Sequence, residues 1–290
     1  MTRKWKVLIT GENSYIGRSF KTYLENDPAF EMEELDVRGT AWQDFDFSQA
    51  DTVFHVAGIA HVDSRKADQD LYYQVNTQLT EKVAKKAKEA GVQQFIFMSS
   101  AIVYGDSMHQ LKQGRITKNT QPQPSNHYGK SKLLAEEKLN ALAASDFKVV
   151  NLRPPMIYGP ASKGNYPRLA KLAQEIPVFP KVNNQRSMLF IDNLCEFIRL
   201  MIVNQESGTF HPQNKDYVNT SQLVEAIAKA HQKKIWLVGG FAGLLAYLSK
   251  HQFTLNKLFG DLVYDQDLSS YSTDYSLVGF ETSIERTEQE

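Results

Sequence analysis

The sequence lacks several features that would place the protein in a specialised class. Its 290 residues include a single cysteine, Cys195, which can form no internal disulfide, so a disulfide-stapled secreted domain is excluded and a cytoplasmic protein is expected. Lys and Arg total 33 and so do Asp and Glu, with no dense basic run, which argues against nucleic acid or an anionic membrane as the main partner. Cys195 falls in an apolar helical pattern, so we expect a buried structural thiol and no metal site.

Long apolar runs and repeats are also missing. The basic start of the chain is followed by only Val7–Thr10, too short for the hydrophobic region of a secretory signal. The run Val238–Leu248 is too short to span a bilayer, and we interpret it as a core or interface helix, with surface attachment as the alternative. Glu285–Glu290 is expected to be a frayed acidic tail. With 42% hydrophobic and 23% charged residues, the chain can bury a full core.

The N-terminal part predicts a strand, a glycine turn and a helix. The strand covers Lys6–Thr10, and the turn Gly11-Glu-Asn-Ser-Tyr-Ile-Gly17 leads into a helix that continues to Leu24. Glycines at such a turn let backbone N–H groups approach a pyrophosphate at the positive end of the helix. A fingerprint with three glycines would have one at position 14, where Ser14 makes the approach more crowded. A glycine turn in an α/β unit that binds no nucleotide is the alternative.

The second strand is predicted over Glu31–Val37 and ends in Asp36-Val-Arg38, where a Rossmann unit selects its cofactor. Asp36 suits the ribose hydroxyls of NAD, whereas Arg38 suits the 2′-phosphate of NADP. In an extended segment both side chains project to the same side, and the carboxylate repels a phosphate. We therefore expect a modest preference for NAD, with NADP less favoured. Both residues could instead be solvated turn residues.

A short connection and a long helix come next. Residues 39–50 are too few for a long helix, so at most one helical turn is expected before the strand Thr52–Val56. The end of that strand, Ala57-Gly58-Ile59, should pass close to the cofactor. Apolar residues at helical spacing predict an amphipathic helix over Asp68–Ala90, which Gly91 ends.

Two further strands frame a polar loop and another helix. The strand Gln94–Met98 delivers Ser99 and Ser100 to the carboxyl edge of the sheet, where open parallel sheets bind ligands. The second of the two strands is predicted over Phe147–Leu152, after an amphipathic helix that begins at Tyr128.

Tyr128 and Lys132 carry the chemical signal of the chain. Four residues apart on a helix, they share one face, and an ammonium near the phenol is expected to lower its pKa from about 10. The Ser100 hydroxyl could hold the same substrate oxygen. A Tyr-x-x-x-Lys pair also arises by chance, but this one follows a Ser-Ser strand end and starts a helix that Ser125 or Asn126 can cap.

In order along the chain, these motifs resemble the extended short-chain dehydrogenase/reductases, specifically the nucleotide-sugar epimerase/dehydratase family of UDP-galactose 4-epimerases and 4-keto-sugar reductases. The resemblance spans nearly the whole sequence. The matching segments are Ile9-Thr-Gly-Glu-Asn-Ser-Tyr-Ile-Gly17, Val53-Phe-His-Val-Ala-Gly58, Val75-Asn76, Phe95-Ile-Phe-Met-Ser-Ser-Ala-Ile-Val-Tyr-Gly105, Tyr128-Gly-Lys-Ser-Lys132, Leu152-Arg-Pro-Pro-Met-Ile-Tyr-Gly159 and Arg186-Ser-Met-Leu-Phe-Ile-Asp192.

The resemblance implies a role for each matching residue. Tyr128 would be the general acid/base, Ser100 its partner on the reacting sugar oxygen, and Lys132 the group that holds the nicotinamide ribose. The implied cofactor-binding residues are Gly11, Ser14, Tyr15, Ile16, Gly17, Asp36, Arg38, Asp46, Phe47, Ala57, Gly58, Ile59, Asn76, Ser99, Tyr128, Lys132, Pro154 and Pro155. The implied substrate-binding residues are Ser100, Tyr128, Asn165, Arg168 and Arg186, although either arginine could instead form a surface salt bridge.

The expected fold class is α/β, a doubly wound parallel sheet of the Rossmann type with a smaller C-terminal lobe. Residues 1–152 are predicted to form the dinucleotide-binding domain and residues 153–290 mainly a substrate-binding lobe, with 186–205 packing back on the first domain. As in relatives, the helices 68–90 and 128–144 are expected to pair two copies in a homodimer.

The implied reaction is NAD-dependent chemistry at C4 of a nucleotide-diphosphate sugar. A UDP-hexose 4-epimerase that works through a 4-keto intermediate is the first expectation, and a UDP-4-keto-6-deoxy-sugar reductase of surface-polysaccharide synthesis is the alternative. A catalytically silent dinucleotide-binding sensor is an alternative of a different class. Ser14, and Met156 where sugar epimerases often have Asn, depart from the family pattern, and Met156 leaves the sugar and the reaction open.

Overall fold

A computed structural model describes residues 3–60, 69–105, 114–240 and 260–289. By its internal contacts, the chain divides into two compact units. The first unit comprises Met1–Val103, Pro124–Pro154 and Cys195–His211, and the second comprises Tyr104–Gln123, Pro155–Leu194 and Pro212–Glu290. The predicted division lay at residue 152, whereas here residues 104–123 belong to the second unit and residues 195–211 to the first. Most of the predicted helix Val238–Leu248 lies outside the described residues.

A six-stranded parallel sheet forms the centre of the first unit, which confirms the predicted fold class. The strands are β1 (Trp5–Thr10), β2 (Phe30–Leu35), β3 (Thr52–His55), β4 (Gln94–Met98), β6 (Lys148–Leu152) and β10 (Gly208–Phe210). Their order in the sheet is β10-β6-β4-β3-β1-β2, so the order reverses between β1 and β3. Ligands of open α/β sheets bind outside the carboxyl ends of the strands at such a switch point.

The connections between these strands follow the sequence pattern closely. Helix α1 covers Tyr15–Tyr23, and the short link before β3 contains one 3-10 turn, Ala41–Asp44, as predicted. The predicted helix 68–90 is helical from Gln69 to Glu89 but in three pieces: α2 (Gln69–Tyr73), a π-helical turn (Gln74–Leu79) and α3 (Thr80–Glu89). The helix α4 covers His127–Leu142, and α6 covers Ile191–Val203.

The apolar faces of α3 and α4 pack into the core of the first unit. Val83 and Ala87 of α3 and Leu139 of α4 are fully buried in one cluster with strand residues such as Phe95. The outward side carries charge, since Glu81 pairs with Lys85 and Lys138. The apolar stripes that suggested pairing between two copies are thus used within the chain. Cys195 is buried on α6, as predicted.

The second unit is built from short strand pairs and helices. Its helices are α5 (Asn165–Glu175), α7 (Thr220–Ala230), α8 (Gln266–Ser269) and α9 (Phe280–Glu288). Its strand pairs, all parallel, are β5 (Arg115–Ile116) with β12 (Val263–Tyr264), β7 (Met156–Tyr158) with β9 (Met188–Phe190), and β8 (Val178–Pro180) with β11 (Trp236–Val238).

The predicted frayed tail is wrong. Residues up to Glu288 belong to α9, where Glu288 accepts hydrogen bonds from Tyr166 at 2.7 Å and pairs with His231 at 2.6 Å. These two contacts supply polar partners that the acidic composition of the segment did not reveal. Within the described ranges, no helix has both the length and the apolar character needed to cross a bilayer.

Candidate active site

The glycine turn between β1 and α1 lies at the switch point of the sheet. Gly11 has a φ of +118°, and a Cβ added to it would lie 2.7 Å from the backbone nitrogen of Ala57, which follows β3. A Cβ on Gly17 would lie 2.9 Å from the Ile9 side chain. Both glycines therefore permit the close packing of β1, β3 and the start of α1, and we call this turn the glycine cradle. Tyr15 and Ile16 are half-buried in the first turn of α1.

Ser14 has a structural use that the sequence did not predict. It is the N-cap of α1, and its Oγ accepts a hydrogen bond from the Gly17 N–H at 3.0 Å. A serine side chain thereby satisfies one of the free amides at the helix start. The amides at the positive end of α1 remain arranged around the glycine turn despite the missing third glycine.

Asp36 and Arg38 form a bidentate ion pair at the end of β2. The Arg38 guanidinium donates to both carboxylate oxygens of Asp36 at 2.6–2.9 Å, and it lies 3.9 Å from the Glu12 carboxylate. Hydrogen bonds from Arg38 hold the pKa of Asp36 below its usual value. In the structure, the Arg38 guanidinium thus pairs with the Asp36 carboxylate.

The Asp46–Phe47 segment is divided between solvent and core. Asp46 is exposed and accepts from the Ser48 amide at 2.9 Å, which with the Ser48 side chain lowers the pKa of Asp46. Phe47 is 1% exposed and belongs to the core of the first unit. Phe47 can therefore contribute only backbone atoms to a ligand site.

Asn76 fastens the loop after β3 to the neighbouring helices. Its Oδ1 accepts from the Ile59 N–H at 2.9 Å, and its Nδ2 donates to the Ile59 carbonyl and to Ser131 Oγ, both at 3.0 Å. A Cβ on Gly58 would lie 3.0 Å from Asn76 Oδ1 and 3.3 Å from Lys132 Nζ. Asn76 sits in the π-helical turn, a deviation often found at functional sites. The structure thus brings the predicted residues Gly58, Ile59, Asn76 and Lys132 together.

The start of α4 is pressed against the loop that follows β4. Asn126 is the N-cap and accepts from the Gly129 N–H at 2.8 Å. A Cβ on Gly129 would lie 2.9 Å from the Ile102 carbonyl oxygen, so this glycine permits the close approach. Tyr128 and Ser100, two members of the predicted catalytic group, are near enough for the Ser100 side chain to influence the pKa of the phenol.

The pKa of Tyr128 moves opposite to the prediction. Burial raises it to about 12, although the hydrogen bond with Ser100 acts against this rise. The nearby Tyr72, whose ring centroid lies 6.2 Å from that of Tyr128, adds to the rise. The predicted lowering by Lys132 is thus wrong for this structure, because desolvation of the phenolate dominates. Tyr128 carries its proton at neutral pH.

Lys132 is held by the strand rather than by the tyrosine. Its Nζ donates to the Met98 carbonyl oxygen at 2.7 Å and lies 4.5 Å from the centroid of the Phe97 ring. Burial lowers the pKa of Lys132 to about 8, and the Glu136 carboxylate partly offsets that effect. The ammonium is therefore mostly charged at neutral pH and fixed behind Gly58.

A buried polar cluster supports the end of β4. The Ser99 hydroxyl donates to Glu136 on α4, and the Arg153 Nε donates to the same carboxylate at 3.0 and 3.1 Å. Arg153 precedes Pro154, whose carbonyl accepts from the Ala101 N–H at 2.9 Å. Ser99 thus has its hydroxyl turned into the protein.

The predicted substrate residues lie in the second unit and only partly converge. Asn165 and Arg186 line one small pocket together with Met156, whereas the exposed Arg168 is not part of its lining. Arg186 donates to the Gly260 carbonyl at 2.9 Å, and burial lowers its pKa to about 10. The pocket is also lined by the polar Thr220 and by the apolar residues Leu169, Met188, Val218 and Leu223. Pro155 also belongs to this unit.

Sequence reasoning missed several polar residues around this site. Glu136 follows Lys132 by four residues, so helical spacing could have placed it on the catalytic face of α4. His55 lies within the family motif Val53–Gly58, and the sequence alone predicts no role for it. Among the described residues, no group of three or more His, Cys, Asp or Glu side chains is arranged to hold a metal ion.

Comparison with known proteins gives a family match and a curated relative. A model of the NAD dependent epimerase/dehydratase family matches residues 7–239. UDP-glucose 4-epimerase from Vibrio cholerae is 32% identical over 237 residues, which cover 79% of this chain and 72% of that protein.

Two solved structures share the fold. dTDP-4-dehydrorhamnose reductase from Yersinia enterocolitica has a TM-score of 0.73 at 18% identity, with 99% of both chains covered. UDP-glucuronic acid 4-epimerase from Bacillus cereus, in complex with NAD, has a TM-score of 0.72 at 18% identity, with 98% of this chain and 96% of that chain covered. At these identities the likeness concerns the fold alone.

Proposed function

The chain belongs to the NAD dependent epimerase/dehydratase family, and from this premise we propose that it is a nucleotide-sugar enzyme acting at sugar C4, specifically a UDP-hexose 4-epimerase that works through a 4-keto intermediate. The observation that carries the proposal is the position of Ser100, Tyr128 and Lys132. All three lie at the carboxyl edge of the sheet in the first unit, whose switch point carries the glycine turn.

The first unit fits a bound dinucleotide. Cβ atoms on Gly11, Gly17 and Gly58 would meet protein atoms of neighbouring segments, so these glycines let the backbone at the switch point lie close to the start of α1, where a helix N-terminus can bind a pyrophosphate. The residues that would hold NAD are those of the glycine turn, Asp36, the segment 57–59, Asn76 and Lys132. NAD, when bound, supplies reversible exchange of a hydride with the sugar carbon. NADP is less favoured, because Asp36 and Glu12 both place carboxylates around Arg38.

Tyr128 would donate a proton to the C4 oxygen in one direction of the reaction and accept it in the other. The phenol is protonated at neutral pH and can give its proton to a C4 oxygen that gains negative charge, because an alkoxide is a stronger base than a phenolate, and Ser100 supplies a second hydrogen bond. In the opposite direction Tyr128 accepts the proton of the C4 hydroxyl. Lys132, which the Met98 carbonyl holds behind Gly58, would bind the nicotinamide ribose.

Arg186 and Asn165 would bind the diphosphate of the substrate. A guanidinium suits a phosphate because it offers paired donors, and an amide adds a neutral one. Met156 offers no hydrogen bond to a sugar hydroxyl, whereas Thr220 in the same pocket carries a hydroxyl group.

A UDP-4-keto-6-deoxy-sugar reductase of surface-polysaccharide synthesis is the second candidate. Tyr128, protonated at neutral pH, is ready to give its proton to a ketone, which is the first step of a reductase. The apolar Met156 also suits a sugar that lacks a hydroxyl. Against this, the Vibrio cholerae relative bears the name of an epimerase.

One experiment separates the three possible classes. The purified protein is analysed by mass spectrometry for co-purifying nucleotide, then incubated with a panel of UDP-hexoses and UDP-4-keto-6-deoxy sugars. Conversion of a UDP-hexose to its C4 epimer without net change in NAD supports the proposal. Consumption of NADH with a keto sugar supports the reductase, and dinucleotide binding without turnover on any sugar supports a silent sensor.

We also propose that the protein is a cytoplasmic homodimer, which rests on the family resemblance and on the single buried cysteine. Such an interface would cover the exposed Leu71 on α2 and the charged outer sides of α3 and α4. Light scattering at micromolar concentration tests the dimer, and a monomer would contradict it.

A further inference from the structure

His55 is a buried histidine at the end of β3 with a polar partner on each ring nitrogen. Its Nδ1 lies 2.7 Å from Thr10 Oγ1 at the end of β1, and its Nε2 lies 3.0 Å from Thr80 Oγ1 at the start of α3. The ring stacks against Phe95 and Phe97 of β4, with centroid distances of 5.6 and 6.1 Å. His55 therefore connects three elements of the first unit at the switch point of the sheet.

The hydrogen-bond partners determine the form of the ring. Thr80 uses its hydroxyl proton on the Asn76 carbonyl at 2.9 Å, so it can only accept from His55 Nε2–H. Nδ1 is then unprotonated and accepts from the Thr10 hydroxyl. Burial lowers the pKa of His55 to about 3, and the charge of Lys132 lowers it further, so the ring is neutral. One tautomer satisfies every group.

Both ends of this chain of hydrogen bonds reach candidate ligand-binding backbone. Thr10 precedes Gly11, and its carbonyl accepts the amides of Val56 and Ala57 at 3.0 and 2.9 Å. At the other end, Asn76 holds both backbone groups of Ile59.

The hydrogen bonds continue from Asn76 to the catalytic helix. Asn76 Nδ2 donates to Ser131 Oγ, and the Ser131 hydroxyl is 2.9 Å from the Tyr128 carbonyl. A second link runs from Thr77 Oγ1 to the Ser131 carbonyl at 2.7 Å. Residues of the π-helical turn thus connect the loop after β3 to the first turn of α4 through hydrogen bonds.

We propose that His55 is a positioning residue that, through Thr80, fixes Asn76 and thereby the Ala57-Gly58-Ile59 loop and the first turn of α4 for dinucleotide binding. The inference rests on the proposed function, since it assigns His55 to the same cofactor site. It adds a residue that contacts neither the sugar nor the reacting atoms. This role depends on the hydrogen bond from His55 Nε2–H to Thr80, because only that bond continues to Asn76.

Two substitutions at position 55 separate the halves of the network. In His55→Gln the side-chain amide can place an N–H where Nε2–H lies, so the bond to Thr80 is retained. In His55→Asn the shorter side chain reaches only the Nδ1 position, so the bond to Thr10 is retained and that to Thr80 is lost. Thr52→Val is the matched control, because Thr52 donates a buried hydrogen bond to Gln94 at 3.0 Å from the other end of β3.

The readouts are the dissociation constant for NAD and hydrogen exchange of the amides in residues 56–60. We expect His55→Gln and Thr52→Val to bind NAD within about threefold of the unmutated protein, and His55→Asn to bind at least about tenfold more weakly, with faster exchange at Ile59. Thr80→Val should reproduce the effect of His55→Asn and serves if that variant does not fold. Its turnover should fall together with its NAD affinity.

Equal NAD affinity and exchange in His55→Asn, Thr80→Val and Thr52→Val would overturn the positioning role. Equal weakening in His55→Gln and His55→Asn would also overturn it, since rescue by the retained N–H is its specific claim. Failure of the unmutated protein to convert any UDP-hexose contradicts the proposed reaction but not this role, which is measured without a sugar. If the unmutated protein binds no NAD, the proposed function fails, and the exchange of Ile59 alone decides the role of His55.

Discussion

The two units of the molecule hold their candidate residues in different ways. In the first, Lys132 is hydrogen-bonded to the end of the five-residue β4, and Asn76 is hydrogen-bonded to the loop after the four-residue β3 and to Ser131 on α4. In the second, Asn165 and Arg168 are exposed, and Arg186 is next to a strand of only three residues. The difference teaches that residues proposed for the chemistry are held by hydrogen bonds near strand ends in one unit, while residues proposed to bind the substrate are more exposed in the other.

The largest expected effect is on the chemistry of the first unit. Tyr128→Phe should lower turnover by at least about 100-fold, because it removes a positioned proton donor and acceptor. Dinucleotide affinity, measured by fluorescence titration, should stay nearly unchanged, since the ring is retained. Near-normal turnover in this variant would remove Tyr128 from the mechanism.

The second-largest effect is expected from a substitution in the glycine turn, which should weaken NAD binding. Gly11→Ala forces a Cβ to within 2.7 Å of Ala57 at a φ of +118°, so NAD binding should weaken by at least about tenfold. Gly208→Ala is the matched control, because its φ is +115° but no atom lies within 4 Å of the added Cβ. If both variants lose the same affinity, general backbone strain explains the result and the cradle does not.

A smaller effect is expected in the second unit, on substrate affinity. Arg186→Ala should raise the KM for the sugar nucleotide by about tenfold with little change in kcat, since it removes binding shared by substrate and transition state. The exposed Arg168→Ala should change KM less than threefold. Steady-state kinetics on the substrate identified in the panel compares the two, and a larger effect at Arg168 would reverse their assignment.

Acid should weaken the first unit through its buried neutral histidines. Burial lowers the pKa of His55 and His211 to about 3, whereas an unfolded chain binds a proton near pH 6.5. As pH falls from 6.5 towards 3, the histidines take up protons in the unfolded state but not in the folded state. The free energy of unfolding should therefore fall by about 1.4 kcal/mol per pH unit for each of the two histidines. Urea unfolding at several pH values should show a shallower slope in His55→Gln, and an unchanged slope would contradict the neutral state of His55.

The smallest expected effect concerns cofactor choice. The unmutated protein should bind NAD more tightly than NADP, and Asp36→Ala should narrow the difference by a factor of a few, because Arg38 is then released towards a phosphate. Dissociation constants for both cofactors at one salt concentration test this. Tighter binding of NADP by the unmutated protein would make Arg38 the determinant.

The same comparison explains what the sequence could and could not predict. The strands, the glycine turn and the start of α4 depend on local spacing, which is why Gly11, Ser100 and Tyr128 were placed correctly at the sheet edge. The direction of the pKa shift at Tyr128 and the bond from Lys132 to Met98 depend on burial and on a neighbouring strand, which helical spacing alone does not contain. The π-helical turn also has no clear signature, since the apolar pattern of 68–90 continues through it.

The transfer of deuterium from sugar C4 tests the central claim most directly. UDP-glucose and UDP-N-acetylglucosamine that carry deuterium at C4 are incubated with the protein and NAD, and the products are analysed by NMR. The account predicts that at least one is converted to its C4 epimer with the deuterium still at C4 of the product, and that Tyr128→Phe abolishes this conversion. An epimer with hydrogen from solvent at C4 would contradict a 4-keto mechanism, and no epimer from either sugar or from the wider UDP-hexose panel would contradict the proposed function.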